Sequence, residues 1–294
     1  MDDFKPVTLE DKSVFKAFFS QDPPRASEFT FTNVFMWRHR FRPVWKVWGD
    51  CLLIVFRPED AAPFGLPPVG SGDKRAALEF LCRSLEKVSP EGTISRAEKR
   101  FVEQYVEGDS FQILEDPDNS DYVYLARNLI DLPGNKYHRK KNHVNQFTKN
   151  NEFEYRTLNA EIAQSFLDLQ ETWCEIRNCD ETPGLFQENI AIHEALWNFS
   201  ALGFKGGAIL VDSRVEAFAL GEALNPETAV IHVEKANPDM AGLYAAINQY
   251  FCKEALSNFT YINREQDLGL PGLRQAKQSY LPDHMVEKFT LIRR

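Results

Sequence analysis

The chain has 294 residues, of which 43% are apolar and 26% charged, so it can bury cores of ordinary domain size. A formal charge of −9 excludes a protein that coats nucleic acid or an anionic membrane with its whole surface, although it leaves room for a local basic site. The longest apolar run, Cys51 to Phe56, is about a third of a membrane span.

The opening residues Met1 to Phe4 are acidic where a secretory signal is positive, so a cytoplasmic location and no integral membrane segment are expected. Cys51, Cys82, Cys174, Cys179 and Cys252 are odd in number and scattered. Neither C-x-x-C nor zinc-ligand spacing occurs, so free buried thiols and no metal site are expected.

In chain order, Phe4 to Thr8 reads as a strand and Leu9 to Phe19 as a helix with Val14, Phe15, Phe18 and Phe19 on its apolar side. Glu28 to Phe41 reads as a second helix. Val44 to Val47 and Cys51 to Phe56 form a hairpin across Gly49-Asp50. Phe64 to Val69 is a strand broken by prolines, hence an edge or bulge. A helix follows over Asp73 to Lys87, capped near Ser71. Thr93 to Ser95, the helical Glu98 to Tyr105, and Phe111 to Leu114 with Tyr122 to Leu125 complete the first half.

The second half opens on a basic helix, 136–149. Phe153 to Thr157 is a strand, and Asn159 caps a helix carrying Ile162, Phe166, Leu169 and Trp173. Another helix follows Pro183-Gly184, with Ile190, Ala191, Leu196 and Trp197 on its inner side. Gly206 to Val211, Val215 to Leu224 and Ala229 to Glu234 are strands joined by turns at Asp212-Ser213-Arg214 and Asn225-Pro226-Glu227. An amphipathic helix over Leu243 to Phe251, a strand at Phe259 to Ile262, a short helix at Leu270 to Lys277 and a closing strand at Met285 to Leu291 end the chain.

Both halves read β-α-α-β-β-β-α-β-α-β, which suggests a duplication. The order resembles the GCN5-related N-acetyltransferase fold. The expected fold class is therefore α/β, with tandem acetyltransferase-like domains over 1–133 and 134–294, each a mixed, mostly antiparallel sheet flanked by helices. In that fold the acyl donor sits where the central sheet splays, here between Ile231–Glu234 and Phe259–Ile262. Acyl-CoA members hold the pyrophosphate on a glycine-rich turn before the following helix. The corresponding turn, Lys235 to Leu243, has one glycine, Asp239, and a proline that removes a donor. Its counterpart in the first half, Gly70 to Arg75, has glycines and basic neighbours at compressed spacing. Ordinary CoA use is therefore disfavoured.

Leu132 to Asn151 holds five Lys/Arg, two His and no acid. Lys136, Arg139, Lys140 and His143 share one helical face at i, i+3, i+4 and i+7, either for phosphate contacts or as a solvated linker. The run LPGNKYHRKKNHVNQF (Leu132 to Phe147), with the later INREQDLGLPGLRQAKQSY (Ile262 to Tyr280), resembles the catalytic C-terminal region of bacterial phosphatidylglycerol lysyltransferases and, more closely, their soluble relatives. The resemblance implies aminoacyl transfer from aminoacyl-tRNA to an amine or hydroxyl acceptor, with no resident cofactor and with tRNA as a partner. The sequence holds no counterpart of the membrane-spanning N-terminal region of the lysyltransferases, which weakens the expectation of a lipid acceptor over a small molecule.

Acyl transfer needs a base, an acid and stabilisation of an oxyanion. His232 and Glu234 alternate along one strand, so they are expected on one face at the gap, opposite Ala219 and Gly221 and turned away from Glu216 and Glu222. With Tyr280 they are the candidate catalytic groups. Asn263, Arg264, Asp267 and Lys277 are the candidate substrate-binding groups, while helix capping or internal pairing also suits Asp267 and Arg264. Two other readings remain open: acetyl-CoA-dependent N-acetylation, and a non-catalytic ligand- or RNA-binding module.

Overall fold

The computed structural model describes residues 3–107 and 109–294, so Met1 and Asp2 of the acidic opening lie outside the described residues. The chain divides into two compact units, each discontinuous in sequence. Residues 1–121, 265–274 and 285–294 form the first, and residues 122–264 and 275–284 the second. Each carries a mixed sheet flanked by helices, the fold class expected.

In the first unit the sheet runs Lys5–Pro6, Val44–Trp48, Cys51–Phe56, Phe64–Gly65, Ile94–Glu98, Lys288–Arg293, Phe111–Glu115, with Val69–Gly70 also on Cys51–Phe56. The helix Lys74–Glu86 turns Ala77, Leu78, Leu81, Cys82 and Leu85 onto Leu53, Val55, Ile94 and Leu291. Truncating one such buried leucine to alanine removes about 2–5 kcal/mol. The helix is capped by Asp73 rather than Ser71. Its carboxylate is the group close enough to accept the N–H bonds of Arg75 (3.1 Å) and Ala76 (3.0 Å).

Two strands pair in a different sheet from the one their place in the chain implied. Tyr122 to Leu125, expected to finish the first half, belongs to the second sheet and pairs with Tyr261–Asn263. The closing strand, expected over Met285 to Leu291, is two: His284–Val286 edges the second sheet, and Lys288–Arg293 inserts between Ile94–Glu98 and Phe111–Glu115. The insertion rests on a buried charge cluster. Lys288 is fully buried and meets Asp121 at 2.6 Å and Glu28 at 2.7 Å. Burial opposes its charge, but Asp121 and Glu28 outweigh it and hold the ammonium above its ordinary pKa. A buried cation with one arrangement of partners fixes where the strand goes more than it adds net stability.

The second sheet runs His284–Val286, Asp121–Leu125, Tyr261–Asn263, Thr228–Ala236, Arg214–Ala223, Lys205–Val211, Phe153–Thr157. Asp212 and Ser213 both take positive φ (49° and 64°), which makes the hairpin turn expected there type I′. Asn159 caps as expected, accepting from Glu161 and Ile162. The helix Leu243–Ala255 buries Ala246, Ile247 and Phe251 and carries the chain across to the parallel strand Tyr261–Asn263. Trp197 is not on an inner face; it is 67% exposed, next to the buried Leu196 at the end of the same helix.

The cysteines also depart from expectation. Cys174 and Cys179 form a disulfide, because the helix Ala163–Arg177 ends at Asn178 in a left-handed turn that folds the chain back and brings the two Cα atoms to 4.9 Å. Cys51, Cys82 and Cys252 are free and buried. No helix among the described residues is long and apolar enough to cross a membrane.

Candidate functional site

The second sheet forks. Thr228, Ala229 and Val230 pair in parallel with Tyr261, Ile262 and Asn263, and there the pairing stops. Just beyond it the side chains of Glu234 and Arg264 bridge the two diverging strands. Arg264 Nη2 lies 2.5 Å and Nε 3.1 Å from Glu234 Oε2. Asn248 of the crossover helix donates to Glu234 Oε1 at 2.7 Å. Arg264 Nη1 and Asn248 Oδ1 are buried without a hydrogen-bond partner. A buried unpaired polar group costs about 1–3 kcal/mol, so this fork has unused hydrogen-bonding capacity where the structure can least tolerate it.

Aromatic rings and a lysine close the fork. The guanidinium of Arg264 lies 4.6 Å from the Tyr280 ring centre and 5.7 Å from that of Tyr124. Tyr124 Oη donates to the Lys277 carbonyl at 2.8 Å, and the Lys277 ammonium donates to the Arg264 carbonyl oxygen. Lys140 turns in from the helix His138–Asn150 and sits 4.0 Å over the Tyr280 ring.

Burial and the adjoining positive charges of Arg264 and Arg139 lower the Lys140 pKa to about 8, against the opposing pull of Glu234. Burial also disfavours the Arg264 charge, but Glu234, Tyr124 and Tyr280 together outweigh it and hold the group above its ordinary value. Burial pushes the Tyr280 phenol up. At neutral pH the site therefore presents a fixed guanidinium, a protonated phenol and an amine able to lose its proton within reach of physiological pH.

The turn before the crossover helix is closed to a pyrophosphate. Asn237 Oδ1 accepts the Asp239 N–H at 3.0 Å, Met240 N–H bonds the Asn237 carbonyl, and Leu243 N–H bonds the Met240 carbonyl. Several donors of the turn are thus already used within it. Gly242 has φ +86°, and a Cβ there would collide with the His143 carbonyl oxygen. The basic helix is packed directly against the N-terminus of the crossover helix, the place where a cofactor phosphate would otherwise meet bare N–H groups.

Of the residues singled out from sequence, Glu234, Arg264, Tyr280 and Lys140 converge. Lys277 stands behind Arg264, fixing its backbone. Asn263 is fully buried within its strand. His232 is elsewhere: the register slips between Leu220 and Gly221, so Glu234 faces Ala219 as expected, but Gly221 faces Ile231 rather than His232. The extra residue turns His232 onto Glu222, 3.2 Å away, correcting the expectation that Glu222 points off it.

Asp267 belongs to the first unit, where it accepts from Arg274 Nε at 2.7 Å and Nη2 at 2.9 Å and from the Gly269 N–H. The helix proper begins at His138, so Lys136 lies in the preceding turn Asn135–Tyr137 and leaves the common face. Lys136, Arg139 and His143 are exposed. Asn248 and Tyr124 were missed. The one signal for Asn248 is a polar residue three before Phe251 in an otherwise apolar stripe.

The sequence matches the family described as "Phosphatidylglycerol lysyltransferase, C-terminal" over residues 21–292. The crystal structure of a conserved protein of unknown function from Bacteroides thetaiotaomicron VPI-5482 is 34% identical, with 99% of each chain covered and a TM-score of 0.94. That of the C-terminal domain of a candidate lysylphosphatidylglycerol synthetase from Agrobacterium fabrum shares the fold at 10% identity, with a TM-score of 0.70 over 97% of this chain and 92% of that one. An uncharacterized protein of Mycoplasmoides gallisepticum is 24% identical over 178 residues, 58% of this chain and 55% of that protein, so the match spans about half of that relative.

Proposed function

The chain belongs to the phosphatidylglycerol lysyltransferase C-terminal family, and on that footing we propose that its second unit transfers an aminoacyl group from aminoacyl-tRNA to an amine or hydroxyl acceptor at the Glu234–Arg264 fork. The observation that carries this reading is the buried, unpartnered Nη1 of Arg264, held by the Glu234 carboxylate where the strands part. An anchored cationic donor with both N–H groups of Nη1 free suits an oxygen that gains charge during acyl transfer.

The roles follow from the groups' charge states. Lys140, with its pKa near 8, takes the proton from the attacking amine or hydroxyl. The acceptor atom bonds to the ester carbonyl carbon, and the resulting oxyanion is met by Arg264. As the carbonyl re-forms, the bond to the tRNA ribose oxygen breaks, and that oxygen takes a proton from Tyr280, whose phenol Lys140 reprotonates. Asn248 and Glu234 position Arg264. Lys136, in the turn before the basic helix, and Arg139 and His143, exposed on it, suit the tRNA backbone. The closed turn and the Gly242–His143 contact speak against CoA as donor.

The test is incubation with tRNA charged with labelled amino acids, together with small amines and phosphatidylglycerol vesicles as acceptors. Label should leave the tRNA for one acceptor class, and Arg264→Met should slow this about a hundredfold or more, the loss typical of one oxyanion donor. Transfer unchanged in Arg264→Met refutes the assignment. Transfer from acetyl-CoA instead of tRNA would support the acetyltransferase reading.

A further inference from the structure

The first unit has a cavity of about 120 Å³ at its own strand fork, where Phe64–Gly65 and Ile94–Glu98 part after the Gly65–Ile94 pair. A water-sized group needs about 10–15 Å³ of such space, so the cavity suits a ligand the size of a small or mid-sized amino acid.

Its wall carries two carboxylates and two cations, Asp22, Glu98, Lys74 and Arg100. They are unequally committed. Asp22 accepts from Lys74 at 2.6 Å and from the Gly70 N–H at 3.2 Å. The protein's own carboxylate thus fills the anion position beside the start of the helix Lys74–Glu86, and an incoming phosphate would face both it and Glu98. Glu98 is 8% exposed; one oxygen accepts the N–H groups of Arg25 (2.9 Å) and Ala26 (3.0 Å), and the other has no partner among the described residues. Arg100, half-buried, makes no ion pair among the described residues. The cavity therefore offers one spare cation and one spare carboxylate oxygen, with apolar surface from Pro68 and Phe101 between them.

We propose that this cavity binds a free α-amino acid. Its carboxylate sits on Arg100, its ammonium on Glu98, and an apolar side chain lies against Pro68 and Phe101. This site is separate from the proposed transfer site in the second unit and does not depend on it. A zwitterion engages both spare groups at once, whereas an anion or a cation alone engages one of them.

The test is a titration of the full chain with L-valine and L-methionine. Isovalerate serves as valine without its amine, isobutylamine as valine without its carboxylate, and L-glutamate as a side-chain control. Valine or methionine is expected to bind and to raise the melting temperature, with both valine fragments and glutamate weaker. Arg100 bonds to no other side chain among the described residues, so Arg100→Ala is expected to fold and to weaken valine at least about tenfold, the effect of losing one charged contact. Glu98→Gln should weaken it in the same direction, and Arg264→Met should leave it unchanged. The proposal is overturned if neither amino acid binds, if Arg100→Ala keeps wild-type affinity, or if Arg264→Met abolishes binding.

Discussion

Replacing Glu234 with Gln should show how much of the fork depends on one buried ion pair. The side chains of Glu234 and Arg264 are 15% and 13% exposed and bonded at 2.5 Å. Gln keeps the shape and can still accept from Asn248, but it leaves the guanidinium of Arg264 buried without a counter-charge. Removing one partner of a buried pair costs about 3–5 kcal/mol. The retained hydrogen bonds place Glu234→Gln at the lower end, roughly 3 kcal/mol, or a fall of about 6–12 °C in melting temperature for a chain of this size.

Arg264→Met acts differently, because it removes the buried cation and leaves Glu234 its hydrogen bond from Asn248. The double variant Glu234→Gln/Arg264→Met should be more stable than Glu234→Gln alone. Chemical denaturation of the four proteins at pH 5 and pH 8 measures every term. A Glu234→Gln loss below about 1 kcal/mol, together with additive effects in the double variant, would refute the claim that these two charges depend on each other.

Lys140 supplies a second test. Its folded pKa of about 8 lies below the ordinary lysine value, so between the two the unfolded chain binds more protons. Stability relative to Lys140→Met should therefore rise with pH above about 8, and a flat difference would place the amine in solvent. Any transfer rate should rise through the same pH and lose that limb in Lys140→Met. Gly242→Ala should cost about 1–3 kcal/mol, since it adds a Cβ at φ +86° against the His143 carbonyl; an alanine variant as stable as the parent would mean that the basic helix does not close the turn.

The parts of the fold legible in the sequence are those set by local chemistry. The hairpin at Gly49-Asp50, the meander ending at Glu234 and the Asn159 cap each follow from turn residues and side-chain period, and each is present. Arg264 and Glu234 were readable as charged residues at strand ends beside an expected gap. What stayed hidden depends on partners distant in sequence. Nothing in the alternation of Tyr122 to Leu125 or Lys288 to Arg293 says which sheet they join, and that choice rests on Lys288 meeting Asp121 and Glu28. A one-residue register slip sent His232 to Glu222, because period-two reasoning carries through a strand only while no residue is inserted. The basic run was legible as charge but not as geometry: one lysine of four turns inward, and composition does not say which.

The most direct measurement is a parallel titration of the purified chain with CoA and with aminoacyl-tRNA at two salt concentrations. The account predicts that tRNA binds, that its affinity falls with salt, and that Lys136→Glu/Arg139→Glu weakens it, while CoA does not bind. Micromolar CoA binding with no affinity for tRNA would contradict it, because the turn at Asn237 to Gly242 would then accept phosphates despite its own internal bonds and its contact with His143.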